Sequence, residues 1–262
     1  MSAMPDIPLV VLSIAGFDPS SGAGITADLQ TIIAHGCYPI TCISALTVQT
    51  TEGVKRVEPV RAEIVRDTLR ELARDFHIAA VKIGMLGSGE VASVVADFLL
   101  GTAFEHVVLD PVLKSSSGAN LIDNKGQQIV RERLLPLAEV ITPNLTEAEA
   151  LAGVPLRDAK QIRQAASHLN ALGARGVVIT GGHRDQAIDL LSLQGRMEEF
   201  HAEKIESHST HGTGCAFSTA IACELAKGTS VRDAVINAKE FVGKAIKNAV
   251  PIGKGIGPLK LL

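Results

Sequence analysis

Short runs of β-branched and aliphatic residues alternate with longer stretches of helical periodicity along the whole chain, and most of these runs lack a regular apolar–polar alternation. A strand that is apolar at nearly every position must be covered on both faces, which is the condition of a parallel sheet between two layers of helices. The spacing predicts strands over residues 10–15, 40–46, 79–83, 106–109, 139–142, 176–180 and 187–193. Helices are predicted over 24–35, 61–74, 87–99, 146–152, 159–172, 213–226 and 230–248. Residues 54–60 alternate in part and read as a short strand off the main sheet. The expected fold class is therefore α/β, a three-layer α-β-α arrangement around a mostly parallel central sheet. No linker, repeat or low-complexity segment interrupts the 262 residues, and their 46% hydrophobic content suffices for one domain over 1–262.

In such sheets ligands bind beyond the carboxyl ends of the strands. The residues rich in chemistry fall there: 16–24, 47–53, 84–86, 110–118, 143–147, 181–183 and 212–215. One crevice along one sheet edge is the expected site. Charge and composition limit what it holds. A net charge of −3 and an aromatic content of 3%, with no Trp, supply neither phosphate neutralisation nor stacking platforms, so nucleic acid is not an expected partner. No apolar run reaches the roughly 18 residues of a membrane span, and the start of the chain lacks a basic segment and long apolar core. Cys37, Cys42, Cys215 and Cys223 form no C-x-x-C pair and suit a reducing cytosol, so a cytoplasmic enzyme is expected.

The most distinctive junction is 207–222, SHSTHGTGCAFSTAIA. Gly212 and Gly214 flank Thr213, and Cys215 opens a run of small and apolar residues with helical character. Glycines there let successive N–H groups converge, and the positive end of the helix adds to an anion hole. A thiol in the first turn is expected to have a lowered pKa and to act as a base or nucleophile. Two other readings stand beside this one: an ordinary loop with a buried cysteine, and a metal site with His208 and His211, which lacks zinc spacing and a fourth ligand.

Elsewhere the local signals are double. AGFDPSSGAG after the first strand is neither a dinucleotide fingerprint nor a P-loop, and reads as a close-approach loop or a capped turn. Gln49 both donates and accepts, suiting the edge of a nitrogen heterocycle or an exposed loop. Met85 suits a flat ring or the core. Asp110 and Glu147 end one strand and open one helix, which fits Mg²⁺–nucleotide chemistry; for Glu147 a capping role with Asn144 fits equally.

Taken in order, AGFDPSSGAGITADLQT, SALTVQTTEGV, VKIGML, VLDPV, ITPNLTEAEAL, GGH, THGTGCAFSTAIA and KGIGP resemble the hydroxymethylpyrimidine/phosphomethylpyrimidine kinases of thiamine biosynthesis, within the ribokinase-like superfamily. Kinases of pyridoxal share the pattern. The resemblance implies an ATP-dependent kinase with Mg²⁺, acting on 4-amino-5-hydroxymethyl-2-methylpyrimidine and then on its monophosphate, and a homodimer. It assigns Gln49 to the aminopyrimidine, Met85, Gly16 and Val112 to the ring pocket, and Asp28 to the substrate contacts as well. Asp110 and Glu147 organise Mg²⁺ through water, while Asn144, Thr180 and Gly182 face the nucleotide. Gly212, Thr213, Gly214 and Cys215 form the anion hole, with Cys215 in the place where most of the superfamily carries an Asp base. The chain departs from the family at Thr50, where Asn is usual, and at Thr180, where Lys is common; the second leaves phosphate charge to the metal, Lys114 or the helix end. A non-catalytic pyrimidine-binding module would keep the ring pocket without these carboxylates and this anion loop.

Overall fold

A computed structural model describes residues 7–115, 118–181, 187–202 and 205–262. The first strand, β1 (Val10–Phe17), shows why the apolar runs do not alternate. Leu12 and Ile14 point into one hydrophobic core and Val11 into another on the opposite face. The period of two is present, but both faces are apolar. The same division runs through β4 (Ile78–Ile83) and β5 (His106–Leu109), with Val81 and Val107 on one side and Ala80 and Val108 on the other.

These strands belong to a nine-stranded sheet of order β3-β2-β1-β4-β5-β6-β7-β8-β9. The remaining strands are β2 (Tyr38–Thr50), β3 (Gly53–Pro59), β6 (Val140–Ile141), β7 (Gly176–Ile179), β8 (Ala187–Leu193) and β9 (Arg196–Ala202). Strands β2, β1, β4, β5, β6 and β7 run parallel, and β3, β8 and β9 add antiparallel margins. One helical layer holds α1 (Gly24–Ala34), α7 (Thr213–Ala226) and α8 (Val231–Lys247). The other holds α2 (Ala62–Asp75), α3 (Gly89–Gly101), α4 (Asn124–Ile129), α5 (Leu145–Ala152) and α6 (Ala159–Ala171). The chain leaves β1 towards α1 on one face and β4 towards α3 on the other, so the sheet has its switch point between these two neighbours. A crevice opens where the connections part.

Three features differ from the sequence reading. Residues 54–60 are not off the sheet: β3 pairs with β2 and forms its margin, because Leu46, Val48 and their neighbours find register partners there. Strand β9 escaped notice since a marginal strand rich in Arg and Glu carries little apolar signal. Helix α4 follows the Asp123 cap and continues through a π turn at Val130–Leu134 and a 3₁₀ turn at Leu135–Leu137, which blurs its periodicity.

Helix α7 is buried from Ala216 to Leu225, and its small residues bring its backbone close to the sheet. Beneath its first turns lies Lys82, fully buried on β4. Its ammonium donates to both carboxylate oxygens of Asp28 on α1 at 2.9 Å. Ser13 of β1 and Thr219 of α7 donate to the same carboxylate at 2.5 and 2.8 Å. The ion pair is thus satisfied from four elements, as a charge removed from water must be. Asp28→Ala would leave the ammonium buried without its partner, and is expected to cost about 3–5 kcal/mol of unfolding free energy, measured by denaturant titration.

Candidate active site

The loop after β1 and the loop before α7 interlock. Gly212, the N-cap of α7, has φ +84°, and a Cβ there would overlap the carbonyl oxygen of Gly22. A Cβ on Gly22 would in turn overlap the His211 ring, and one on Gly24 (φ +56°) would overlap the Gly16 carbonyl. Only glycine permits this approach and this backbone. The consequence is chemical: the first-turn amides of α7, which a helix leaves without acceptors, open onto the loop that follows β1. Gly212, Thr213, Gly214 and Cys215 lie together at this point, and the Thr213 hydroxyl is turned back onto the Thr210 carbonyl at 2.7 Å.

The thiol of Cys215 corrects the sequence reading. Its position at a helix N-terminus led to an expected lowered pKa, but burial pushes it up to about 12. Lys82 draws it down while Asp110 and Asp28 push it further up, and the Gly24 amide donates to it. Desolvation is the largest influence on the thiol and acts opposite to the lowering expected at a helix end, leaving Cys215 protonated at neutral pH in the ligand-free protein.

Asp110 stands at the end of β5, where the Ser218 hydroxyl donates to it at 3.3 Å. Burial pushes its carboxyl up to about 6, against the pull of Lys82. Glu147 opens α5 in a complete capping box: its amide donates to Asn144 Oδ1 at 3.0 Å, and its own Oε2 accepts the Asn144 amide at 2.9 Å. The capping reading of Glu147 holds, yet it does not exhaust the side chain. Burial pushes Glu147 up to about 8, and the Asp110 charge adds to the effect. Both carboxylates are raised chiefly by burial, and two such groups, one of them raised further by the other's charge, form a place for a cation. Among the described residues no three His, Cys, Asp or Glu side chains gather into a metal cage. The donor set therefore suits an ion that keeps waters and takes ligand oxygens, as Mg²⁺ does.

The residues that the resemblance assigns to a ring pocket also lie close together. A Cβ on Gly16 would lie 2.8 Å from Met85 Sδ, so Met85 packs flat against glycine backbone. Val112 packs on the small cluster of Ala45, Met85 and Leu121. Gln49, further along β2 from Ala45, is half-buried, with Thr47 Oγ1 at 3.3 Å and His211 at 3.0 Å from its amide. Asp28 departs from expectation. It has no exposed surface, and Lys82, Ser13 and Thr219 occupy its carboxylate, so it braces the site from beneath and does not face a ligand.

On the other side of the anion loop, Asn144 pairs with Thr180 in a parallel bridge, and the Thr180 amide donates to the Pro143 carbonyl at 3.0 Å. Gly182 and His183 lie outside the described residues. Thr50 accepts the Glu52 amide at 3.2 Å in the β2–β3 turn, and Lys114 is exposed. Sequence reasoning assigned no role to Lys82, Asp18 or His211. A lysine inside the apolar run AAVKIG was the one available signal for Lys82.

The order of strands and helices around this sheet is shared with solved small-molecule kinases of the ribokinase-like fold, and this chain is one of that class. The family described as phosphomethylpyrimidine kinase matches residues 18–260, and the chain belongs to it. A hydroxymethylpyrimidine/phosphomethylpyrimidine kinase of Haemophilus influenzae is 42% identical over 254 residues, covering 95% of this chain and 94% of that protein. An ADP complex of Bacillus subtilis pyridoxal kinase superposes with a TM-score of 0.89 at 36% identity, covering 97% of each chain. A phosphomethylpyrimidine kinase of Clostridium difficile gives 0.81 at 33%, over 91% of this chain and 99% of that one.

The carboxylates set a pH dependence. Glu147 is raised from 4.5 to about 8 in the folded protein, so the folded state holds a proton that the unfolded state releases over this range. The unfolding free energy of the ligand-free protein is expected to fall as pH rises from about 4.5 to about 8, and Glu147→Gln is expected to flatten that decline in denaturant titrations.

Proposed function

We propose that the protein transfers the γ-phosphoryl group of ATP to the hydroxymethyl oxygen of 4-amino-5-hydroxymethyl-2-methylpyrimidine, and a second one to the resulting monophosphate. The interlock of the two glycine loops carries this reading, because it sets the loop after β1 directly against the head of α7. A flat ring held against Met85 and Val112 brings its hydroxymethyl arm towards the head of α7. There the amides of Gly214 and Cys215 offer hydrogen bonds to charge developing on the transferred group.

Gln49 supplies an acceptor and a donor to the heterocycle edge, a pairing that rejects rings lacking the complementary groups. Cys215 stands next to the hydroxyl to be phosphorylated. Since the thiol is protonated at rest, it orients the hydroxyl in the ground state through a hydrogen bond. It acts as base only as the thiolate, once its own proton has passed to solvent, and then takes the hydroxyl proton late, when a loose transition state has made the oxygen acidic. Asp110 and Glu147 would hold Mg²⁺ through water, and the ion would neutralise phosphate charge. Asn144, Thr180 and Gly182 are assigned to the nucleotide side, where Thr180 brings no cation. The reading includes a cytoplasmic homodimer whose ligands are the pyrimidine and ATP. No helix among the described residues is long and apolar enough to cross a membrane.

A second reading, phosphorylation of pyridoxal, is favoured by the likeness to the Bacillus subtilis pyridoxal kinase. ³¹P NMR of products formed from Mg²⁺–ATP with each substrate separates the two. A pyrophosphoryl product from the pyrimidine is expected; turnover of pyridoxal alone would replace this proposal with the second reading. Cys215→Ala is expected to lower kcat for the pyrimidine by about 10²-fold, with KM changed less than about threefold. An unchanged kcat would remove the thiol from the proton transfer.

A further inference from the structure

Asp18, His211 and Gln49 form a continuous polar chain across the site. His211 Nε2 lies 2.8 Å from Asp18 Oδ2 and 3.0 Å from the near end of the Gln49 amide. Burial alone would raise the Asp18 carboxyl, but hydrogen bonds from His211 and Ser20 hold it below the usual range. Ser20 donates to Oδ1 through its amide at 2.8 Å and its hydroxyl at 2.7 Å, and the Ala23 amide donates to Oδ2 at 2.9 Å. An ionised carboxylate only accepts, so His211 Nε2 carries the hydrogen.

That assignment decides the amide. A protonated Nε2 has no lone pair for an NH₂ group, so the amide atoms of Gln49, placed with Nε2 towards His211 and Oε1 towards Thr47, are exchanged: the carbonyl oxygen faces the imidazole and shares its Nε2–H. The NH₂ end then lies by Thr47 Oγ1 at 3.3 Å. The Thr47 hydroxyl gives its own hydrogen to the Phe17 carbonyl at 2.9 Å and so has a lone pair to accept with. Every group is satisfied in this orientation, whereas the reverse sets two donors against each other. The imidazole has little freedom: its main-chain amide donates to Gly257 at 3.0 Å, and Gly22 packs against the ring edge.

We infer that His211, oriented by Asp18, is a positioning residue that locks the Gln49 amide in one orientation and thereby selects heterocycles with a ring nitrogen next to an exocyclic amine. The locked amide keeps one oxygen lone pair and one N–H in fixed order, complementary to that edge. A ring without the amine gains nothing from the lock. The inference rests on the substrate reading above.

The test compares wild type, His211→Phe and His211→Gln by steady-state kinetics on 4-amino-5-hydroxymethyl-2-methylpyrimidine and on its analogue lacking the amine. His211→Phe is expected to raise KM for the aminopyrimidine by about tenfold, with kcat within about twofold and KM for the analogue unchanged. His211→Gln, which returns an N–H donor, is expected to restore KM to within about threefold. Should His211→Phe fail to fold, Thr47→Val removes the other anchor of the amide and is expected to give the same selective rise. An equal rise on both substrates, a fall in kcat alone, or no change would overturn the inference while leaving the substrate reading intact. Absence of pyrimidine turnover by the wild type would overturn both.

Discussion

The Lys82–Asp28 ion pair holds the working end of the molecule together. An ammonium with no exposed surface is stable only where its counter-charge and every hydrogen bond are supplied by protein. Here Asp28 of α1 takes the ammonium on both oxygens, and Ser13 of β1 and Thr219 of α7 donate to the same carboxylate, so α7 is fixed relative to the switch point of the sheet. The same positive charge acts on Cys215 and Asp110, drawing both towards their ionised forms against the cost of burial. Asp28 therefore serves the site without touching a ligand.

Above this foundation, the glycine loops decide what the crevice does. Close approach of Gly212 to Gly22 brings the anion-binding end of a helix against the loop that carries Asp18 and Gly16. In the proposed reading, affinity for the ring and stabilisation of phosphoryl charge would arise on adjoining backbone, holding a bound alcohol near the amides without a conformational search. Burial raises the carboxyls of both Asp110 and Glu147, an arrangement that suits the cation proposed to sit there.

Much of this was legible in the sequence where a single principle governs. Apolar runs covered on both faces fixed the parallel sheet, and α7 begins at Thr213 as its small-residue pattern required. Gly16, Met85 and Val112, which the family resemblance assigned to one pocket, lie close together around Met85. What the sequence did not disclose depends on competition between effects or on contacts distant in the chain. The Cys215 thiol lies at a helix end that lowers pKa and in a buried setting that raises it, and only the fold shows which is larger. Asp28 reads as a polar helix residue until Lys82, 54 residues away, is seen to face it. His211 and Asp18 are separated by 193 residues, and no local pattern announces their bond. Strand β3 was misplaced because partial alternation does not say which neighbour a margin strand takes.

A single crevice is proposed to hold ring and phosphates together. The most direct test is a crystal structure of the ternary complex with the aminopyrimidine and a non-hydrolysable ATP analogue. The expected result places the ring between Met85 and Val112 with its amine on the Gln49 oxygen, and the terminal phosphate on the amides of Gly214 and Cys215. A pyrimidine bound away from Gln49, or a terminal phosphate far from the head of α7, would contradict the account.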